Sequence, residues 1–468
     1  MVSSDHMAKF NGRSKAAAFF SDGILYSGVG LVAFLVVCAV WSLLSPAPPP
    51  PGFAATPFSD VESNLQKKGS AAGSGGGGEA APTPSVTCNS DSGPDRLHDP
   101  PDRNFYDDPG LSYTIDSPAI KNWDEKRRQW LEQHPSFLAG AENRILMVTG
   151  SQATPCKNPI GDYLLLKLFK NKVDYCRRHG IDIFYNNVLL HPKMFSFWAK
   201  TPAVKAAMLA HPEAEWIWWV DSDAAITDMD FKLPLDRYKN HNMVVHGWLE
   251  LIFKKKSWTS INAGVFLLRN CQWSVDLIDR WAQMGPQSPE YDEWGKILSS
   301  TFRDKIFPES DDQSGLAYLI LKENEKWGAK IYVEGEYYFE GYWMDIVGTL
   351  DNITDRYTAV EMGTAALRRR HAEKVSEGYA REWEDHLKEA GHGRGSWRRP
   401  FITHFTGCQP CSGAHNEIYS GRSCVDAMQR ALLFADNQVL RSYGFVHPDT
   451  IDPAVVRPLP FNHPATQN

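Results

Sequence analysis

The sequence predicts an α/β domain on a mostly parallel central sheet, carried behind an N-terminal transmembrane helix. Three observations predict it. From about residue 144 onward, short apolar runs alternate with longer amphipathic stretches, the pattern of strands joined by helical crossovers. One such run, Glu215 to Val220 (EWIWWV), ends abruptly at Asp221, and ligands of open α/β sheets bind beyond the carboxyl ends of strands. Near the start, Ile24 to Leu44 is apolar and uncharged, long enough as a helix to cross a hydrocarbon core of ~30 Å.

Residues 1–23 read as a cytosolic tail. Lys9, Arg13 and Lys15 precede the apolar run and Asp22 is the acid beside it, so the basic flank stays in the cytosol and the rest is lumenal. Residues 24–44 are then a single-pass type II signal anchor. The run is long for a cleaved signal peptide, and its end lacks a small-x-small cleavage site. Residues 45–97 form a stem: Pro46 to Pro51 and the glycine-rich Gly69 to Gly78 cannot bury a core. Residues 98–468 read as the lumenal globular domain.

Within that domain Arg144 to Gly150 reads as a buried strand, Ile160 to His179 as an amphipathic helix and Ile181 to Asn187 as a second strand. Trp198 to Ala210 reads as helical and Glu215 to Val220 as the third strand. Further strands are expected at Met243 to His246, Gly264 to Leu268 and Lys330 to Phe339, with a helical run over Ser314 to Lys322. Arg356 to Ala390 reads as an exposed helical stretch, and the chain shades into a proline-rich tail from about Asp436.

Composition narrows the function. The 468 residues hold 43% hydrophobic side chains, enough for a sizeable core, and a net charge of −7 without a basic block argues against nucleic acid. Sixteen Trp and 17 Tyr suit a core and also a groove whose flat rings cover sugars. Of 8 Cys, Cys38 lies in the apolar run and seven are lumenal, so one thiol is expected to be left over. The run Cys408 to Cys411 (CQPC) stands alone, without the second pair a zinc finger needs, and reads as part of a structural disulfide framework. Asn352-Ile353-Thr354 is a glycosylation sequon.

The pair Asp221 and Asp223, with Ser222 between them, can converge on one hard cation such as Mn²⁺ or Mg²⁺, which in turn clamps a pyrophosphate. A solvated turn is the plainer alternative. His404 follows an apolar run and offers a third ligand suited to Mn²⁺, or is simply a structural histidine. The turn Gly150-Ser151 ends the first strand where backbone N–H groups meet nucleotides. Asp311, Asp312 and Gln313 open a helix, where acids serve as caps or line a sugar site.

These segments resemble one family. WIWWVDSDA, SWTSINAGVFLLRNCQW, SDDQSGLAYL, EYYFEGYW and RPFITHFTGCQPC are similar to plant glycosyltransferase family 34, over roughly residues 95 to 463. HDPPDRNFYDDP and NPIGDYLLLKLFKNKVDYCR resemble its galactomannan galactosyltransferase branch, whose sister branch transfers xylose to xyloglucan. The resemblance implies a GT-A fold, a UDP-sugar donor, retention of α-configuration and a Mn²⁺-type ion on Asp221, Asp223 and His404. It puts Gly150, Ser151, Lys200, Ser222 and Gly407 at the nucleotide. Asp311, Asp312 and Gln313 go to the donor sugar, with Gln313 nearest the anomeric carbon. It implies UDP-galactose and β-mannan as substrates on the Golgi membrane, and leaves room for oligomers with other polysaccharide-synthesis enzymes. The alternatives are a xyloglucan xylosyltransferase and a catalytically silent scaffold. Glu340, Gln409, Ala225 and Ile226 are the positions expected to bear on which sugar is transferred.

Overall fold

The computed structural model describes residues 104–459, apart from 117, 368–376, 392, 394, 450 and 451. The apolar run 24–44 and the stem 45–97 lie outside the described residues. Among the described residues no helix is long and apolar enough to cross a membrane.

The first half of the chain alternates as its pattern predicts. After α1 (Trp123–Gln133) come β1 (Ile145–Gly150), α2 (Gly161–His179), β2 (Asp182–Asn186), α3 (Lys200–Ala210) and β3 (Trp216–Val220). Every residue of β3 is buried, because helices cover both sheet faces and a strand buried on both faces reads as an unbroken apolar run. α2 turns Leu164, Leu168 and Tyr175 inward and ends at Gly180, whose φ of 65° closes the helix in the left-handed region.

A three-residue strand, β4 (Ala224–Ile226), follows the acidic turn directly. Then come β5 (Met243–Gly247), β6 (Ile261–Arg269), α4 (Gln272–Ala282), α5 (Tyr291–Thr301), α6 (Asp312–Lys322) and β7 (Ile331–Glu334). The central sheet has the order β2-β1-β3-β6-β5-β7. The pairs β1–β2, β1–β3 and β5–β7 are parallel, whereas β6 is antiparallel to both β3 and β5. The sheet is therefore mixed, more so than expected. No crossover α-helix lies between β5 and β6, and a strand reached without one can return antiparallel.

A second sheet, ordered β4-β9-β8, joins β4 to β8 (Gly341–Tyr342) and β9 (Ile402–His404). Strands this short carry no readable period. α7 (Leu350–Gly363), α8 (Glu377–Leu387) and α9 (Gly421–Leu440) complete the described chain with a terminal two-stranded pair. The described residues between Arg356 and Ala390 are largely helical, as expected, and many are exposed, but the helices are not solvated all round: Tyr357 and Trp383 are buried and stack at 4.7 Å. Nor does a tail begin at Asp436, since α9 continues to Leu440 and Asp436 pairs with Lys170 at 2.7 Å. Asn352 is exposed on the first turn of α7.

The cysteines also correct the arithmetic. Cys156 bonds Cys411 and Cys408 bonds Cys424, so the CQPC cysteines serve structural disulfides but not with each other. Cys176 and Cys271 are free, two leftover thiols rather than one, with Cys88 outside the described residues. Cys176 sits in the core beside Met147, 3.7 Å between sulfurs, and burial pushes its thiol up to about 12.

Candidate metal and sugar-nucleotide site

The site forms where β3 ends and the small sheet begins. β4 pairs antiparallel with β9 in a register that sets Ala224 opposite His404. That register brings the far end of the chain to the acidic turn. His404 Nε2 lies 3.3 Å from Asp223 Oδ1 and 3.9 Å from Asp221 Oδ2. One donor atom from each of Asp221, Asp223 and His404 falls within 4.8 Å of the others. The two acids predicted to converge, and the distant histidine, are therefore together.

The surroundings fit a cation. His404 Nδ1 donates to Glu340 Oε1 at 3.1 Å, which fixes the tautomer by its partner and leaves the Nε2 lone pair facing the acids, the usual outer support of a ligating histidine. Gly264 lies beneath the cluster. A Cβ there would stand 2.3 Å from His404 Cε1 and 2.6 Å from Asp221 Oδ2, so only a hydrogen leaves the cradle open. Two carboxylates and one imidazole suit Mn²⁺. Burial works to lower the His404 imidazole, but Asp223 and Glu340 outweigh it and hold it up to about 10. A cation entering the cluster would displace that proton.

The acidic turn is gripped from behind by α2. Lys172, 1% exposed, donates from Nζ to Ala224 O at 2.7 Å and Ser222 O at 3.3 Å. Asn171 closes the free edge of β4: Ile226 N donates to its Oδ1 at 2.7 Å, and its Nδ2 donates to Ile226 O at 2.9 Å. Burial brings the Lys172 ammonium down to about 8, against the pull of Asp223 and Asp221. Neither residue stood out in the sequence, where a Lys-rich helix reads as a solvated face.

Lys200 is also buried. Its Nζ lies 2.6 Å from Asp312 Oδ2 and 3.3 Å from Asp221 Oδ1, and donates to Ala263 O at 2.9 Å. Burial lowers it, but the two carboxylates prevail and keep it charged. Burial pushes the Asp312 carboxyl up to about 6 although Lys200 draws it down. Lys200, which the resemblance puts at the nucleotide, joins the acidic turn to α6.

Asp311 behaves as the plain alternative had it: it caps α6, accepting from Ser314 N at 2.8 Å, and its Oδ2 lies 3.2 Å from the buried Lys305 Nζ. Gln313 is half-buried, its Nε2 donating to Trp258 O at 3.0 Å and its Oε1 accepting from Ala263 N at 3.4 Å. The first residues of β6 are therefore a hub. Asn262 Oδ1 accepts from Gly264 N at 2.7 Å, Ala263 meets Gln313 and Lys200, and Gly264 O accepts from Asp221 N at 2.8 Å. A strand expected to start at Gly264 hid this hub.

The turn at Gly150 lies beside β2. Ser151 N donates to Asn186 O at 2.9 Å, and a Cβ on Gly150 would meet that oxygen at 2.2 Å, so this glycine permits close strand pairing. Gly407 has a φ of +77°, and a Cβ there would strike Tyr419 Oη at 2.1 Å. It turns the chain after His404 toward the disulfides. Gln409 is exposed and its Oε1 accepts from Ser412 Oγ at 2.8 Å.

Comparison with known proteins follows this geometry. The profile of the galactosyl transferase GMA12/MNN10 family matches residues 141–415. A putative glycosyltransferase 7 of Arabidopsis thaliana is 57% identical over 463 residues, covering 98% of this chain and 96% of that protein. Galactomannan galactosyltransferase 1 of Cyamopsis tetragonoloba is 54% identical, covering 98% and 100%. A probable xyloglucan 6-xylosyltransferase 3 of Arabidopsis thaliana is 44% identical, covering 79% and 73%. Among solved structures, a glycosyltransferase involved in the glycosylation of the major capsid of PBCV-1 overlays 61% of this chain and 98% of that chain, at 12% identity and a TM-score of 0.34.

Proposed function

The chain belongs to the galactosyl transferase GMA12/MNN10 family, and from that premise we propose that it transfers galactose from UDP-galactose to β-1,4-mannan, forming α-1,6 branches with retention of configuration on a GT-A fold. The observation that carries the metal-dependent chemistry is the convergence of Asp221, Asp223 and His404 over Gly264. Identity of 54% to a galactomannan galactosyltransferase along its whole length supports the sugar and the acceptor. Two disulfides support a lumenal domain, since such bonds persist in oxidising compartments, and with the apolar run 24–44 they favour a type II protein of the Golgi membrane.

A divalent ion on Asp221, Asp223 and His404, Mn²⁺ by donor type, would neutralise charge on the departing pyrophosphate. The protein's part is to hold that set rigid. Glu340 orients the imidazole, Lys172 and Asn171 fix the acidic turn, and Lys200 ties Asp221 to Asp312 on α6. We place Gln313 nearest the donor sugar, its amide held by Trp258 O and Ala263 N. An amide is a poor nucleophile, which favours a front-face route. The anomeric C–O bond to UDP breaks, the acceptor hydroxyl bonds the same face, and its proton passes to the leaving phosphate. The catalytic gain then comes from positioning and electrostatics.

A second reading, xylosyl transfer to a glucan, is favoured by the 44% identity to a probable xyloglucan xylosyltransferase. The full chain in detergent, given Mn²⁺ and each pairing of UDP-galactose or UDP-xylose with mannohexaose or cellohexaose, separates the two. Galactose on mannohexaose is the expected product; xylose on cellohexaose alone would establish the second reading instead. Asp223→Ala should abolish transfer, whereas a silent scaffold would show none to abolish.

A further inference from the structure

The metal cluster takes up one part of the sheet end and leaves another unexplained. β3 and β5 both run antiparallel to β6, so their carboxyl ends lie at the same end of the sheet. Along the order β1-β3-β6-β5, the turn Gly150-Ser151 lies on one side of Asp221. β5 lies on the other, two strand spacings or about 10 Å from β3. It leads directly into Trp248, which is 49% exposed.

Trp248 is exposed without being loose. Its N donates to Ser260 O at 2.9 Å, and its O accepts from Leu251 N at 3.0 Å and Ile252 N at 3.1 Å. The ring of the buried His246 meets the indole at 76°, with centroids 4.9 Å apart, an edge-to-face contact. The chain then makes a π-helical turn over Leu251–Lys255. It bends back at Lys256, whose φ of 51° is left-handed in a residue with a Cβ. Both features cost free energy and gather at functional sites. The segment returns through Trp258, whose O accepts from Gln313 Nε2 at 3.0 Å. Leu249 and Phe253, on the same short segment, are also exposed.

We propose that Trp248 is the platform on which a sugar ring of the acceptor chain stacks during transfer. This rests on the polysaccharide-acceptor reading above and gives the acceptor a place within that site. A nucleotide taken at Gly150 and Ser151 occupies the β1 side of the metal cluster, which leaves the β5 side for the acceptor. On that side stands a flat, fixed, half-exposed ring. A pyranose presents a face of C–H groups that an indole can cover, and the contact asks for no charge on the acceptor. Because the backbone of Trp248 is already held at both its N–H and its carbonyl, little freedom is lost when a ring stacks on it. Through Trp258 the same segment reaches the amide of Gln313, so one piece of chain sets both the acceptor contact and the residue placed nearest the donor sugar.

The test is transfer kinetics on the full chain in detergent, with Mn²⁺, UDP-galactose and mannohexaose. Trp248→Ala should raise KM for mannohexaose about tenfold, the size of a lost aromatic contact, and leave KM for UDP-galactose as it was. Trp248→Tyr, which keeps a flat ring, should recover most of that loss; Trp248→Leu, apolar but not flat, should not. An acceptor KM unmoved by Trp248→Ala, an equal rise in both KM values, or a Trp248→Leu as good as Trp248→Tyr overturns the proposal. If the activity proves to be xylose transfer to cellohexaose, the function proposed above falls and the same variants are read on that pair. If no pairing gives transfer, calorimetric binding of mannohexaose and cellohexaose in the presence of UDP and Mn²⁺ reads the platform by itself. There a loss of about tenfold in Trp248→Ala sustains it, and no binding, or binding indifferent to the substitution, overturns it.

Discussion

Lys200 and Asp312 meet where almost no water reaches, at 2% and 6% exposure. A buried pair is costly to leave half-charged. Asp312, pushed up to about 6, is ionised above that pH and pairs with Lys200; below it the carboxyl is neutral and its hold on Lys200, and through Lys200 on Asp221, weakens. Transfer activity should therefore fall as pH drops through about 6, read as the acid limb of a pH–rate profile. The stability effect of this group has the opposite sign. Between its ordinary value and about 6 the folded protein binds more protons at Asp312 than the unfolded chain does, so this group's contribution to stability falls as pH rises through that window. The acids at 221 and 223 were legible because they directly follow a buried apolar strand, which favours a ligand site over the solvated turn that such a pair otherwise forms. Lys172, Lys200 and Asn262 were less so, because a sequence does not say which lysine or asparagine is turned inward.

α2 does more than cover the sheet. Its Asn171 and Lys172 take the hydrogen bonds that β4 cannot find in a sheet edge. Lys172→Met keeps the length and apolar stem but leaves the carbonyls of Ser222 and Ala224 short of a donor. A buried acceptor left unpaired costs about 1–3 kcal/mol, so urea unfolding should show a loss of that order and Mn²⁺ titration a weaker site; full retention of both would remove Lys172 from the support of the turn. Long elements such as α2 and β3 announce themselves, since burial is enforced along many residues. β4 and β9 do not. Each has three residues, and their pairing depends on chain far apart in sequence. That is why His404 could be proposed as a ligand but its place opposite Ala224 could not be read.

At the scale of the molecule, the segment after His404 is fastened twice, to the loop after β1 through Cys156–Cys411 and to α9 through Cys408–Cys424. Backbone contact reinforces the first fastening, with Asn158 N donating to Cys411 O at 2.9 Å. The first bond closes a loop with a sequence separation of 255, and a long closed loop confines the unfolded chain strongly. Cys156→Ser combined with Cys411→Ser should cost about 2–5 kcal/mol, measured by denaturant unfolding, while Cys176→Ser should leave both disulfides intact on mass analysis. The β4–β9 pairing has a further consequence, in time. During synthesis the acidic turn emerges long before Ile402, so a nascent chain holds two ligands and an unpaired strand until its last portion is made. The candidate metal site is then among the last features to close, and any product cut short before β9 keeps both carboxylates yet lacks His404 beside them.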